Sequence, residues 1–142
     1  MGAGHVDALV KSTKIMAATL FTEDLERSRE FYARVFGLPV HYEDADSAVF
    51  MFGDTMVNVL RVANARELIA PAPVGGPQAG ARTQFTIWAD DVDDVCAELA
   101  KRGVTLINGP MDRPWGIRTA CFADPSGHIW EIAGNLPKEP QN

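Results

Sequence analysis

Few side chains in this sequence have the type and spacing that catalysis or metal binding requires. The chain has 142 residues, with two cysteines and three histidines. Cys96 and Cys121 lie too far apart for a C-x-x-C metal or redox motif. His41 and His128 each stand alone in a predicted strand, where a histidine is more often a packing or surface residue than a ligand, and His5 lies in an N-terminal tail. G-x-S-x-G, P-loop and dinucleotide motifs are absent, so the sequence does not support nucleophilic or nucleotide chemistry.

The carboxylates are numerous but poorly arranged for calcium. Residues 44–46 and 90–94 lack the loop spacing of an EF-hand, and they predict a turn and a helix N-terminus. The chain carries 19 acidic and 13 basic residues, a net charge of -6. This acidity and the lack of basic runs argue against a nucleic acid partner. Acidity favours cationic ligands through long-range steering, although it is more often a solubility feature.

The first half of the chain predicts a strand, a helix and three more strands. Residues 14–21 alternate as a strand does, and Asp24 is a good N-cap for a helix that ends at Gly37. Turn signals separate three further apolar runs, at residues 38–42, 48–52 and 56–62.

The second half repeats this order. A strand at 82–88 precedes a helix capped by Asp91 and ended by Gly103, and strands follow at 105–107, 117–122 and 128–133. Thr19 aligns with Thr86, and Asp24 with Asp91, at one offset of 67 residues. Such self-similarity predicts two copies of one βαβββ unit.

These elements predict an α+β fold in which two paired βαβββ modules form a curved, cavity-enclosing mixed sheet, either within one chain or across a dimer. We expect one domain at residues 14–134, with module one at 14–69, a proline- and glycine-rich linker at 70–81 and module two at 82–134. Flexible tails are expected at 1–13 and 135–142. No apolar run reaches the ~18 residues that span a bilayer and no export signal is visible, so we expect a soluble cytoplasmic protein.

Several segments resemble the vicinal-oxygen-chelate superfamily, which includes glyoxalase I, extradiol dioxygenases, fosfomycin-resistance transferases and bleomycin-binding proteins. The resemblance runs from about residue 14 to 133 and is most specific in the segments DLERSREFY (24–32), ADDVD (89–93), WGIR (115–118) and FADPSGHIWE (122–131). It implies the glyoxalase/bleomycin-resistance fold. It implies no single activity, because one scaffold hosts isomerases, lyases, transferases, dioxygenases and drug binders.

The resemblance also indicates where a metal would be held. The four family positions fall on Ala17, Asn58, Gln84 and Glu131. Alanine donates nothing and amides are poor ligands for zinc, nickel or iron, so we expect no metal cofactor. Two alternatives stay open: a magnesium or calcium ion bound by oxygens of Glu131, Asn58 and Gln84, or a ligand set in which His41 substitutes.

Strand alternation and the resemblance together define a candidate ligand cavity. Its expected lining is mostly apolar, with few polar groups: Thr19, Phe21, Met56, Asn58, Leu60, Gln84, Thr86, Trp88, Trp115, Arg118 and Glu131. Phe21 and Trp88 would provide aromatic surfaces at the cavity ends, or would only plug the barrel. Arg118 would meet an anionic group of a ligand, or would pair with a surface carboxylate.

The function we expect is metal-free binding of an organic small molecule, cationic and aromatic, in the manner of a bleomycin-resistance protein that sequesters a toxic natural product or antibiotic. The alternative is a lyase, isomerase or dioxygenase in which Glu131 acts as the catalytic base or as a metal ligand. A third reading is an accessory domain with a vestigial cavity. A homodimer is expected in each case.

Overall fold

Each half of the chain folds as a strand, a helix and three strands. The computed structural model describes residues 6–138. In chain order the elements are β1 (Ala17–Thr22), α1 (Leu25–Phe36), β2 (Tyr42–Glu43), β3 (Ser47–Phe52), β4 (Thr55–Arg61), α2 (Val62–Ile69), a 3-10 turn (Pro77–Ala79), β5 (Gln84–Trp88), α3 (Val92–Lys101), β6 (Asn108–Asp112), β7 (Ile117–Ala123) and β8 (Ile129–Asn135).

The strands form two four-stranded mixed sheets of the same topology. Sheet A has the order β1-β4-β3-β2, and sheet B has the order β5-β8-β7-β6. The first and last strands of each module run parallel, and the other neighbours are antiparallel. The predicted fold class is confirmed, and the sheets do not close into a barrel.

The two long helices begin and end where the sequence predicts. Asp24 accepts a hydrogen bond from the amide of Arg27 at 3.1 Å, and Asp91 accepts one from the amide of Asp94 at 3.0 Å. Gly37 follows α1 with φ of 67°, a left-handed conformation that glycine adopts without strain.

Other local predictions were wrong. The strand expected at 38–42 is only Tyr42–Glu43, and the strand expected at 105–107 lies instead at Asn108–Asp112. Residues 62–69 form α2, which the sequence reading missed, and the linker contains one 3-10 turn.

The two modules share one hydrophobic core. Tyr32 of α1 packs against Phe50 of sheet A and Trp130 of sheet B, at ring-centroid distances of 5.7 and 6.0 Å. Phe52 of β3 stacks on Trp130 of β8 at 5.0 Å. The core therefore lies between the sheets, on the face of each that its helix covers.

The Phe52–Trp130 contact also fixes how the sheets face. If the sheets lay side by side, joined at β1 and β5, strands β3 and β8 would be four strand spacings apart, about 19 Å. Ring contact at 5.0 Å means instead that the helix-covered faces of the two sheets face each other. We call the other face of each sheet, whose side chains alternate with the core residues, its open face. The two open faces point away from the shared core.

Polar bonds reinforce this pairing of modules. The Tyr32 hydroxyl donates to Asp124 Oδ2 at 2.6 Å and accepts from the Trp130 indole nitrogen at 3.1 Å, all three groups being buried. The guanidinium of Arg34 in α1 donates to the carbonyl of Arg102, and Arg102 donates to the carbonyl of Val35 at 2.9 Å. Each arginine thus satisfies a carbonyl at the C-terminal end of the other helix, where cations are favourable.

Within residues 6–138, none of the helices combines the length and apolar character needed to cross a lipid bilayer.

Candidate functional site

Five of the predicted cavity residues lie on the open face of sheet A. Thr19 and Phe21 project from β1, and Met56, Asn58 and Leu60 project from the adjacent β4. Thr19 pairs directly with Asn58. The side-chain oxygen of Asn58 is buried and has no hydrogen-bond partner, so this face presents one unsatisfied acceptor among apolar groups.

Four more lie on the open face of sheet B. Gln84, Thr86 and Trp88 project from β5, and Glu131 projects from β8 opposite Thr86. The Thr86 hydroxyl donates to Glu131 Oε1 at 2.9 Å, which orients the carboxylate. Trp88 is 55% exposed at the end of its strand, about 7 to 8 Å diagonally from Glu131 by strand geometry.

Two residues that the sequence reading left out of the site extend this face. Cys121 of β7 stands directly opposite Glu131, and Asn108 of β6 stands opposite Cys121. Thr86, Glu131, Cys121 and Asn108 thus form a row across all four strands. From the sequence alone Cys121 had no visible base partner, because the register that pairs it with Glu131 is set by the β7–β8 hairpin.

Charged groups on the open faces are few, and one comes from outside the strands: Arg113 donates to Thr119 Oγ1 at 2.8 Å and to Asn108 Oδ1 at 3.2 Å, both on the open face of sheet B. Among the strand residues that the structure describes, alternation places only one side chain that is charged at neutral pH on an open face, Glu131. The other charged strand residues, such as Glu43, Arg61 and Asp112, share the face that the helices cover. A single carboxylate among mostly uncharged side chains can act as the charge partner of a cation or as a proton acceptor.

The single chain does not bring these two sets of residues together. Because the helix-covered faces meet in the core, Asn58 and Glu131 lie on surfaces that point in opposite directions. The sequence left open whether the modules pair around a cavity within one chain. In this structure they pair through their helices instead.

Arg118 lies away from both open faces, whereas Trp115 lies beside Arg113, whose guanidinium donates to Thr119 on the open face of sheet B at 2.8 Å. Arg118 belongs to the helix-covered face of β7, where it forms ion pairs with Asp93 at 2.9 Å and Asp112 at 2.8 Å. These bonds raise the pKa of its guanidinium, through the hydrogen bond to Asp112 first and that to Asp93 second. Of the two roles that the sequence left open for Arg118, the structure shows the ion pair with surface carboxylates. Trp115 is 67% exposed in the β6–β7 turn, beneath the guanidinium of Arg113.

The linker lies beside β1. A cavity of about 450 Å³ is bordered by Thr19, Phe21 and His128 on one side and by residues 75–82 of the linker on the other. His128 Nε2 is hydrogen-bonded to the carbonyl of Phe21 at 2.8 Å. The linker therefore limits access to the Phe21 end of sheet A.

A larger cavity of about 650 Å³ opens between the helix-covered faces. It is bordered by aromatic core residues such as Phe36, Phe85 and Trp130, and by Thr86 of the predicted set. Its side chains include no charged group, so it offers apolar volume but little to orient a polar ligand.

The family metal positions do not suit a transition metal here. Ala17 has no donor atom, Gln84 and Asn58 offer only neutral amides, and Glu131 already accepts a hydrogen bond from Thr86. Asn58 and Glu131 also lie on different open faces. In the described part of the chain, no three His, Cys, Asp or Glu side chains are grouped so that they could hold a metal ion.

The chain belongs to the Glyoxalase/Bleomycin resistance protein/Dioxygenase superfamily, whose sequence profile matches residues 14–132. The predicted resemblance is therefore confirmed.

One relative and one solved structure are the more similar in sequence. The uncharacterized protein YraH of Bacillus subtilis is 30% identical over 125 residues, covering 84% of this chain and 96% of YraH. A glyoxalase/bleomycin resistance protein/dioxygenase from Nocardioides is 27% identical, with a TM-score of 0.79 and coverage of 94% of this chain and 91% of its own.

Two further solved structures share the fold. A lactoylglutathione lyase from Agrobacterium tumefaciens has a TM-score of 0.70 at 24% identity, covering 87% of this chain and 94% of its own. TnmS3, an antibiotic-binding protein from a Streptomyces species, has a TM-score of 0.68 at 22% identity, covering 89% and 98%.

Proposed function

We propose that this protein binds an organic small molecule without transforming it, and that the preferred ligand is cationic and aromatic. The observation that carries the proposal is Glu131, the single carboxylate that the strands place on the open faces. A cation that contacts Glu131 gains a charge-assisted hydrogen bond, and a flat ring beside it can stack on the exposed Trp88. The antibiotic-binding function of TnmS3 supports this choice.

The binding crevice is formed by two copies of the chain. One copy contributes the open face of sheet A, with Asn58, and the other contributes the open face of sheet B, with Glu131. A small-molecule site needs concave walls that cover most of the ligand, and one chain offers two separate walls that face outward. A symmetric dimer would contain two identical crevices of this kind.

The protein does not need a metal ion at Ala17, Asn58, Gln84 and Glu131 for this function. Charge recognition by Glu131 and stacking on Trp88 are sufficient to orient a cationic aromatic molecule. The cysteines Cys96 and Cys121 are free and buried, which suits the reducing cytoplasm where we expect sequestration to take place.

The substitution Glu131→Gln tests the proposal, because it keeps the shape of the side chain and removes its charge. The probe is thioflavin T, a flat cationic dye whose fluorescence rises on immobilisation, compared with its uncharged benzothiazole analogue. The dye carries a fixed positive charge and no hydrogen-bond donor, so Glu131→Gln removes only a Coulomb attraction; at about 1.5–3 kcal/mol in a partly desolvated crevice, its loss should weaken dye binding roughly 10- to 150-fold. Affinity for the uncharged analogue should change little.

Glu26→Gln is the matched control, since Glu26 lies in the exposed first turn of α1 and makes only a surface ion pair with Arg29. This control should bind both dyes as the wild type does. If Glu131→Gln weakened the binding of both dyes equally, or of neither, the assignment of Glu131 as charge partner would be contradicted.

A second candidate is an enzyme in which Glu131 is the catalytic base or a metal ligand, as a lyase, isomerase or dioxygenase. The Thr86 hydroxyl, which orients the carboxylate at 2.9 Å, and the adjacent Cys121 favour it, and the fold is shared with a lactoylglutathione lyase. Turnover of a bound compound that Glu131→Gln abolishes would select this candidate over sequestration.

A further inference from the structure

A cluster of methionines lies at one end of sheet A, away from Glu131. The sequence contains five methionines, and Met16, Met51 and Met56 border one cavity of about 570 Å³ together with His41. These four residues come from four segments of module one: the stretch before β1, the stretch before β2, and strands β3 and β4. Their meeting is a product of the fold and is not visible as a sequence motif.

The backbone holds the two strand methionines close together. Met51 and Met56 are directly opposite each other in the antiparallel β3–β4 pair, so their Cβ atoms are about 5 Å apart on the same face. Each thioether is at the end of a flexible side chain that can adjust to a ligand. The pair therefore can present two sulfur atoms to one small ion.

Contacts of the N-terminal segment bring the third methionine to the same place. The amide of Met56 donates to the carbonyl of Met16 at 3.0 Å. Lys14 forms an ion pair with Asp54 in the β3–β4 turn, at 3.4 Å. His41 reaches the cavity from the other side, where its amide donates to the carbonyl of Val49 at 2.8 Å.

The chemistry of these donors favours a soft monovalent ion. Thioethers are soft, uncharged ligands that select Cu(I), and imidazole also binds copper well. Zinc, magnesium and calcium prefer thiolate, imidazole or oxygen donors, and the one carboxylate that borders the cavity, Asp54, is paired with Lys14. We propose that Met16, His41, Met51 and Met56 form a binding site for Cu(I), or for its chemical analogue Ag(I). This proposal goes beyond the proposed function and does not depend on it.

The test is calorimetric titration of the whole chain with silver nitrate in chloride-free buffer. The double variant M51L/M56L removes two sulfurs and keeps nearly the same side-chain volume. The control M111L makes the same change on β6, in the other module. Silver also binds thiols, but all these proteins keep Cys96 and Cys121, so that contribution is common to them.

Wild type and M111L should take up one equivalent of silver that M51L/M56L loses, and anaerobic competition with bicinchoninate should show the same loss for Cu(I). Met16→Leu, at an exposed position outside any strand, should weaken the site without affecting folding. Equal silver uptake by all four proteins would overturn the proposal. Silver uptake and thioflavin T binding are separate readouts on the same proteins, so failure here and failure of the proposed function are separable.

Discussion

Among the individual residues, Glu131 carries the proposed function, and Tyr32 joins the two modules through its buried hydroxyl. Glu131 was identifiable before the fold was known, because the family resemblance marks its position. Its partners were not, since Thr86 and Cys121 are separated from it by 45 and 10 positions in the chain and meet it only through the register of β5, β7 and β8. The orphaned acceptor of Asn58 likewise depends on packing that the sequence does not reveal.

Tyr32→Phe should destabilise the protein by about 1–3 kcal/mol, because it leaves Asp124 buried without one of its donors. Tyr42→Phe is the matched control: Tyr42 also donates to an aspartate, Asp44, but at an exposed site. Urea denaturation of the three proteins measures the difference. Similar stabilities for both variants would mean that the buried bond does not hold the modules together.

The same bond predicts how stability responds to alkali. Burial, and then the nearby Asp124 charge, raise the pKa of Tyr32 well above its ordinary value. The folded state therefore keeps a proton that the unfolded chain releases above about pH 10. This contribution is fully present below that pH and is lost as the pH rises further, and Tyr32→Phe should flatten the decline.

At the scale of elements, the sequence predicted what local chemistry determines. Capping aspartates and terminal glycines located α1 and α3, and alternation located β1, β3, β4, β5, β7 and β8 within a few residues. The sequence did not predict helix α2, because the residue before it, Arg61, provides no side-chain cap. The sequence did not predict strand β6 at its observed position, because Gly109 and Pro110 predict a turn. Both residues are tolerated here because β6 is an edge strand.

Gly134→Ala tests the packing of α3 on sheet B. A Cβ at this position would lie 2.5 Å from the carbonyl oxygen of Ala89 and 2.9 Å from Val92 Cγ2, at the start of α3. Relieving this overlap should cost about 1–3 kcal/mol. Gly76→Ala, where a Cβ meets nothing within 4 Å, should be nearly neutral, and thermal unfolding of both variants is the measurement. If Gly134→Ala left the stability unchanged, the start of α3 would be able to shift away from β8 without cost, and the tight packing inferred here would be wrong.

At the scale of the whole molecule, the sequence predicted two modules but not which faces they turn toward each other. That choice depends on side chains of distant elements, above all on Trp130, which contacts Phe36, Phe52 and Phe85 at once. Pairing through the helices leaves both open faces outward. The account of function therefore rests on a second copy that brings sheet A of one chain to sheet B of the other.

Complementation between two defective chains tests this central claim most directly. Thr19→Arg places a repelling cation on the exposed part of sheet A, and Glu131→Gln removes the charge from sheet B. Each homodimer should bind thioflavin T at least 10-fold more weakly than the wild type, so a titration distinguishes intact from defective crevices. A heterodimer purified through two different tags has one crevice with both substitutions and one with neither, so the account predicts one bound dye per heterodimer. If the heterodimer binds none, or if the protein is a monomer that binds the dye, the site is not shared between two chains and the account is contradicted.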